Sequence, residues 1–364
     1  MRVLLVNDNA PGPGSGVEVH VQRVADALRA AGDTVEVFAG AVRHAGARKA
    51  LDVWDPMARR ALRRVADRFQ PDVVHHHNVI RELSVSVLGV PPGVAQVLTV
   101  HDYRLLRAHE GPEAEQRRSP LLAVKAVKGV LDRAVVRRRI DIVVAVSAAL
   151  EGSLRDAGFP RVRTVANFAD PEPPGQALPP GDDVVYAGRL SPEKGLDVLI
   201  GAFASVAAAH PTACLRIAGE GPERPELERL AEARAPGRIV FHGMLGAAEV
   251  RELMRRARVV CAPSTRVTEG APLVAIEALL TGRPVLGTES PAFRELLRDG
   301  DLGPIVPWGD GAALAAALDL LLADRALAQQ IGDRARAVAE EVHTPAAAVA
   351  ALHEVYAAAM ELAA

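Results

Sequence analysis

Ten short apolar runs alternate with helix-length amphipathic stretches along this chain, and the alternation breaks only once. The runs are Val3–Val6, Thr34–Phe38, Val73–His75, Val97–Val100 and Ile142–Val146, followed by Val184–Tyr186, Cys214–Ala218, Ile239–Phe241, Val259–Ala262 and Val285–Gly287. Apolar strands separated by helices predict parallel sheets with helices on both faces, an α/β architecture. The interruption runs from Asp170 through Pro171, Pro173, Pro174, Pro179 and Pro180 to Gly181, which cannot continue a strand or helix and reads as an inter-domain linker. A chain of 364 residues exceeds a typical single core. The expected organisation is therefore an N-terminal domain over 1–168, a second over 182–343 and a closing helix over 344–364.

Composition removes several classes. A net charge of −2 gives no global case for nucleic-acid binding. Cys214 and Cys261 both fall in apolar strand-like runs, which suits a reducing compartment without a disulfide framework. The N-terminal strand Met1–Val6 leads straight into a glycine turn and lacks a signal-peptide pattern. No apolar run is long enough to span a bilayer. The expected location is the cytoplasm, and abundant Ala, Arg and Gly suggest a GC-rich, bacterial genome.

Two loops carry the chemistry. Glu269 and Glu277 bracket a helix start in Thr268-Glu269-Gly270-Ala271-Pro272-Leu273-Val274-Ala275-Ile276-Glu277. Pro272 suits the first helical position, Gly282 the stop, and Leu273, Ile276 and Leu280 one apolar face. A helix start offers unpaired N–H groups to a phosphate, and two carboxylates can accept hydrogen bonds from sugar hydroxyls. An isolated Glu pair at this spacing is more often a solvated surface helix. Some eighty residues upstream, however, the strand Val184–Ala187 runs into Gly188-Arg189-Leu190-Ser191-Pro192-Glu193-Lys194-Gly195 and then a helix. Strand, glycine loop and helix frame phosphate sites at the carboxyl edge of a parallel sheet, and Arg189 and Lys194 would supply two positive charges to a diphosphate. The loop lacks the GxxxxGK[ST] pattern of a P-loop.

Together these segments resemble the nucleotide-sugar half of retaining family-4 glycosyltransferases of the GT-B fold. The C-terminal half matches through Gly188-Arg189-Leu190, Glu193-Lys194-Gly195, Ala218-Gly219-Glu220-Gly221-Pro222, Phe241-His242-Gly243, Pro263-Ser264, Glu269-Gly270 with Glu277-Ala278, and Gly303-Pro304-Ile305-Val306. The N-terminal half matches more loosely, through Gly14-Ser15-Gly16-Val17-Glu18, Pro71-Asp72-Val73-Val74-His75, Thr99-Val100-His101-Asp102 and Val146-Ser147. The resemblance implies two Rossmann-like βαβ domains facing each other across a cleft, with the last helix crossing back to the first domain. It implies a retaining, metal-independent hexosyl transfer from a UDP-sugar, or else a GDP-sugar, to a hydroxyl of a small-molecule, glycan or lipid-linked acceptor. In that scheme Arg189 and Lys194 face the leaving diphosphate, Glu277 the ribose, Glu269 the donor sugar, and His101 lies beside the transferred sugar. Gly16 and then Gly14 approach the diphosphate, the base rests near Gly243 and Met244, and Gly270, Ala271, Leu273 and Val274 complete the donor site. No cofactor is implied, because the nucleotide-sugar is a co-substrate.

The sequence departs from the pattern in two places. The turn after Val285-Leu286 reads Gly287-Thr288-Glu289-Ser290 without paired glycines, and position 271 is a small Ala271. Rival readings are a nucleotide-sugar epimerase or hydrolase on the same fold, or a catalytically silent sugar-binding protein.

Metal chemistry has two superficial candidates. His75-His76-His77 ends a strand, where neighbours point to opposite faces and cannot all converge on one ion. Asp299-Gly300-Asp301 reads as a solvated turn. Between Arg104 and Arg139, ten Lys/Arg stand against four Asp/Glu, with a helical pattern from Leu121. A solvated basic face is the ordinary outcome; an acidic acceptor surface or a peripheral contact with an anionic membrane is the functional alternative.

Overall fold

Parallel strands need a crossover between each pair, and the spacing of the apolar runs leaves room for a helix in most of them. The computed structural model describes residues 1–9, 16–40, 54–79, 83–106, 120–173, 177–265 and 270–364, with only the backbone described over 120–126. The chain divides into two units, one made of 1–167, 269–271 and 345–364, the other of 168–268 and 272–344.

In the first unit the elements run β1 (Arg2–Asn7), α1 (Gly16–Ala30), β2 (Thr34–Ala39), α2 (Pro56–Phe69), β3 (Val73–His77), β4 (Ala95–Val100), α3 (Pro120–Arg139), β5 (Ile142–Ala145), α4 (Ala148–Asp156) and β6 (Val162–Thr164). The strands form one parallel sheet in the order β2-β1-β3-β4-β5-β6. Val3 to Val6 of β1 are fully buried, as a strand covered on both faces requires. Each such side chain contributes about 1.5–3 kcal/mol of burial free energy. Caps fix the helix starts: Asp55 accepts from the amides of Met57 and Ala58 ahead of Pro56, and Ser147 accepts from Leu150.

The second unit runs β7 (Asp183–Ala187), α5 (Leu196–Val206), β8 (Leu215–Ala218), α6 (Arg224–Arg234), β9 (Ile239–Gly243), α7 (Ala247–Arg255), β10 (Ala257–Ala262), α8 (Leu273–Leu280), β11 (Val285–Thr288), α9 (Pro291–Leu296), β12 (Ile305–Val306), α10 (Gly311–Ala323) and α11 (Arg325–Val342). Its sheet is parallel too, in the order β12-β11-β10-β7-β8-β9. Read within the unit, that is the doubly wound order 3-2-1-4-5-6.

All ten expected strands are present. Two more, β6 and β12, were not expected, being edge strands of three and two residues with no apolar run to announce them. The segment after Asn167 belongs to the second unit instead of hanging between domains. Asp170 pairs with Arg251 at 2.7 Å, Glu172 pairs with Arg255 at 2.7 Å, and Leu178 is buried in that unit's core.

The last helix, α12 (Pro345–Ala363), groups with the first unit again. Its Tyr356 hydroxyl meets His75 Nδ1 at 2.7 Å, and His353 Nε2 meets Asp33 Oδ2 at 2.7 Å. One correction to the sequence reading arises here, because residues 325–363 are by length and composition enough to cross a membrane. The stretch breaks at His343 into α11 and α12, and each helix buries an apolar stripe in the core of a different unit. That is how an amphipathic helix packs on the surface of a globular domain.

Candidate active site

In a doubly wound sheet the loops leaving the two central strands part to opposite faces, and ligands bind in the crevice between them at the carboxyl edge. In the second unit that point lies between β7 and β10, and the loops that leave these strands are the two singled out in the sequence. The loop after β7 is built from short contacts. Ser191 Oγ donates to Glu193 Oε1 at 2.8 Å, and the Glu193 carbonyl accepts the Thr265 amide from the β10 loop at 2.9 Å. Gly195 has φ +65°, and a Cβ there would lie 2.2 Å from the Pro263 carbonyl oxygen. Only glycine lets the chain close against the β10 loop immediately after Lys194. Thr288, at the end of β11, steadies the same loop by donating to the Ser264 carbonyl at 2.5 Å.

Arg189 is exposed and Lys194 half-buried. Burial pushes the Glu193 carboxyl up, but the Ser191 hydroxyl, its own amide and the charges of Lys194 and Arg189 outweigh this and hold it below its usual range. Both cations stand on this one loop, with Glu193 between them in the sequence.

Glu277 lies in the second turn of α8 and is half-buried, beside fully buried Ile276 and Leu280. Pro272 is the N-cap of α8, not its first helical residue, so Leu273 and Val274 form the opening turn; Gly282, at φ +70°, ends it as expected. Gly243 closes β9 at φ +72°, its carbonyl accepting the Gly219 amide at 2.7 Å, and the neighbouring Met244 is exposed. Glu269 and Gly14 lie outside the described residues. Asp299 and Asp301 are exposed and paired with Arg294 and Arg334.

In the first unit Gly16 is the first residue of α1. His101 follows β4, and its carbonyl accepts the Gly270 amide at 2.9 Å. Ser147 Oγ donates to the Gly270 carbonyl at 2.7 Å, and Asn167 Nδ2 donates to the Ala271 carbonyl at 3.0 Å. A Cβ at position 270 would stand 2.8 Å from both Leu150 and Val146. Gly270 and Ala271 thus belong with the first unit, whereas the helix they precede belongs to the second. The sequence reading had treated them as one piece. It also gave no role to Ser147, Asn167 or Glu193, whose contacts to the backbone of Gly270, Ala271 and Thr265 are distant in the sequence.

Among the described residues, five histidines are buried in the first unit: His20, His75, His76, His77 and His101. Alternation along β3 separates them as expected, with His76 alone on one face, 2.9 Å from Gln96 Oε1, and His75 and His77 together on the other. Burial lowers His76 and His101 to about 4, and lowers His20, His75 and His77 well below the ordinary imidazole value. All five are neutral at pH 7. The convergence of His20 from α1 on His77 and His101 was not visible in the sequence.

Comparison with known proteins bears on this arrangement. The profile for Glycosyl transferases group 1 matches residues 175–338, and that for Glycosyltransferase Family 4 matches 14–173. The phosphatidyl-myo-inositol mannosyltransferase of Mycolicibacterium smegmatis is 30% identical over 358 residues, covering 91% of this chain and 86% of that protein. The chain belongs to the family-4, group 1 glycosyltransferases. The Mycobacterium leprae protein of the same name is 38% identical, over 41% of this chain and only 40% of its own length. Among solved structures, sucrose-phosphate synthase from Thermosynechococcus elongatus superposes with a TM-score of 0.78 at 21% identity, covering 98% of both chains. Anabaena HepE in complex with UDP and glucose gives 0.71 at 20% identity, over 98% of this chain and 99% of that one. At these identities the superpositions speak for the GT-B fold alone.

Proposed function

We propose that this glycosyltransferase moves a sugar from a nucleotide-diphosphosugar, UDP-linked in the first instance and GDP-linked as the alternative, to an acceptor hydroxyl with retention at C1. The observation that carries the reading is the loop Gly188–Gly195 at the switch point of the second sheet, which bears both Arg189 and Lys194. As the C1–O bond breaks, negative charge grows on the leaving diphosphate. Arg189, Lys194 and the backbone amides at the start of α8 stabilise it, most strongly where charge is greatest. Glu277 holds the ribose hydroxyls, Glu269 the hydroxyls of the donor sugar, and His101 stands beside the transferred sugar as a neutral imidazole. Gly16 and Gly14 let backbone approach the diphosphate, and the base lies by Gly243 and Met244. The acceptor attacks from the face the leaving group departs from, since no separate nucleophile presents itself in the sequence. Incubation with UDP-, GDP- and ADP-sugars, followed by nucleotide release with and without acceptors, tests the reading; no release from any donor overturns it.

A lipid-linked acceptor gains support from α3. Val127, Val130 and Leu131 are exposed while Val136 and Asp132 of the same helix are buried, so the helix turns part of its apolar surface outward among Lys128, Arg133, Arg137, Arg138 and Arg139. Apolar and basic groups side by side suit the face of an anionic bilayer, and the two mycobacterial relatives carry a phosphoinositide in their names. We place the enzyme in the cytoplasm, peripheral at the inner membrane face through 104–139, with glycan and small-molecule acceptors as the alternatives.

Two outcomes are expected. EDTA does not lower turnover, because the diphosphate is met by side chains and helix-start amides; loss of activity restored by Mg²⁺ or Mn²⁺ would reverse that assignment. Glu277→Gln weakens binding of free nucleoside diphosphate, since an amide accepts less strongly than a carboxylate, while Glu269→Gln leaves that affinity intact and lowers turnover. Calorimetric titration of both variants beside turnover assays separates the roles, and equal losses of nucleotide affinity would merge them.

A further inference from the structure

Three imidazoles from three elements meet at the carboxyl edge of the first sheet. His77 ends β3, His101 follows β4, and His20 lies on α1, the crossover after β1; β1 and β3 are the neighbours at which this sheet changes winding direction. His77 Nδ1 and His101 Nε2 are 3.1 Å apart, and one nitrogen from each of the three rings lies within 4.8 Å of the other two. Two imidazole nitrogens on a tetrahedral Zn²⁺ at ~2.0–2.1 Å are separated by ~3.3 Å, so the His77–His101 spacing already approximates the bite of an ion. His77 Nε2 is buried and finds no hydrogen-bond partner among the described residues.

The surroundings define which rings are available. His75 lies 4.2 Å from His77, ring centre to ring centre and tilted by 36°, but both its nitrogens are engaged at 2.7 Å, by Tyr356 and by Thr99, so it acts as a wall beside its neighbour. His76 faces the other side of the sheet. Three neutral nitrogen donors are a set that suits borderline ions, Zn²⁺ foremost, and disfavours Mg²⁺ and Ca²⁺, which prefer oxygen.

We propose that His20, His77 and His101 bind one divalent transition-metal ion of the Zn²⁺ class, and that the bound ion inhibits sugar transfer by withdrawing His101. The binding half stands on the geometry alone. The inhibitory half rests on the placement of His101 beside the donor sugar. Arg23, one turn further along α1, and Glu18, on its first turn, are the buried charged groups on the helix that carries His20. The site is a brake, compatible with activity in EDTA.

Untagged, chelator-treated protein titrated with Co²⁺ should develop the visible d–d absorption of a tetrahedral centre, saturating at one equivalent and displaced by Zn²⁺. His77→Ala and His20→Gln should each weaken Co²⁺ by more than the ~10–100-fold that loss of an outer-sphere partner costs. His353→Gln, whose ring pairs with Asp33 elsewhere in the unit, should bind normally. Circular dichroism establishes that each variant is folded, and the spectrum of the parent protein decides even where one is not. Absence of the band, or a band that survives in folded His77→Ala, overturns the site. Zn²⁺ at saturation should suppress transfer by the parent. A filled site with undiminished transfer overturns the inhibitory half and, with it, the place given to His101, while leaving the donor assignments of the second unit untouched.

Discussion

Replacing Arg189 or Lys194 by alanine should lower turnover by about 100-fold or more, the usual consequence of removing one preorganised group from a site where charge develops. The two residues reach the same region by different means. Arg189 follows the strand end directly and is exposed, whereas Lys194 is fixed by the short turn Pro192–Lys194 and by Gly195, which holds the loop against Pro263 and Thr265. Arg189→Lys should recover less than its retained charge suggests, since an ammonium cannot offer the planar fork of a guanidinium to two phosphate oxygens. Because the bridging oxygen gains negative charge between the bound donor and the transition state, kcat should fall more than the donor's KM rises. A near-normal turnover for either alanine variant would remove that residue from the diphosphate site. Gly195→Ala serves as the matching test of the loop, since its Cβ would force the backbone away from Pro263 and displace Lys194 without altering any charge.

How much of this was legible beforehand depends on the range of each contact. The interior strands were readable because burial on both faces demands continuous apolar runs; the edge strands β2 and β9 keep enough apolar residues to be read as well, while the edge strands β6 and β12, of three and two residues, do not. Gly195 was legible as a motif residue, but its reason, the carbonyl of Pro263, lies across the fold. The described residues of the Asp170–Gly181 stretch, 170–173 and 177–181, carry neither strand nor helix, as the sequence suggests. Its membership of the second unit depended on Arg251, Arg255 and the core around Leu178, none of which a local pattern can announce. The same holds for the helix start near Glu269. Sequence neighbours Ala271 and Pro272 divide between two units because Ser147 and Asn167, more than a hundred residues away, hold the Gly270 and Ala271 carbonyls. His75-His76-His77 shows both outcomes at once. Strand periodicity separated His76 from its neighbours in advance, yet only the fold could bring His20 and His101 to His77.

The buried histidines should make this protein lose stability in mild acid, well above the range in which carboxylates titrate. His76 and His101 titrate near 4 in the fold because burial disfavours the charged ring, against 6.5 for an ordinary imidazole. Between those two values the unfolded chain binds more protons than the folded one, so stability rises with pH there. The stabilising contribution is full above about pH 6.5, declines as the pH falls, and is gone once it drops through 4. For each ring the difference amounts to on the order of 3 kcal/mol. His20, His75 and His77 are lowered in the same direction, by burial first and then by repulsion from neighbouring rings, so their loss adds to it. Against a total stability of about 5–15 kcal/mol, such a sum is enough to unfold the first unit before pH 4 is reached. Thermal unfolding followed by circular dichroism from pH 8 down to pH 4.5 should show a melting temperature that is flat at the upper end and falls steeply below about 6.5. His76→Gln offers the cleanest internal control, because His76 stands apart from the other rings and an uncharged amide can still meet Gln96. That variant should lose part of the acid slope while keeping its behaviour at pH 8. A melting temperature that stays level from pH 7 to 4.5 would mean that water reaches these rings, and the neutral His101 assigned to the sugar site would have to be given up with them.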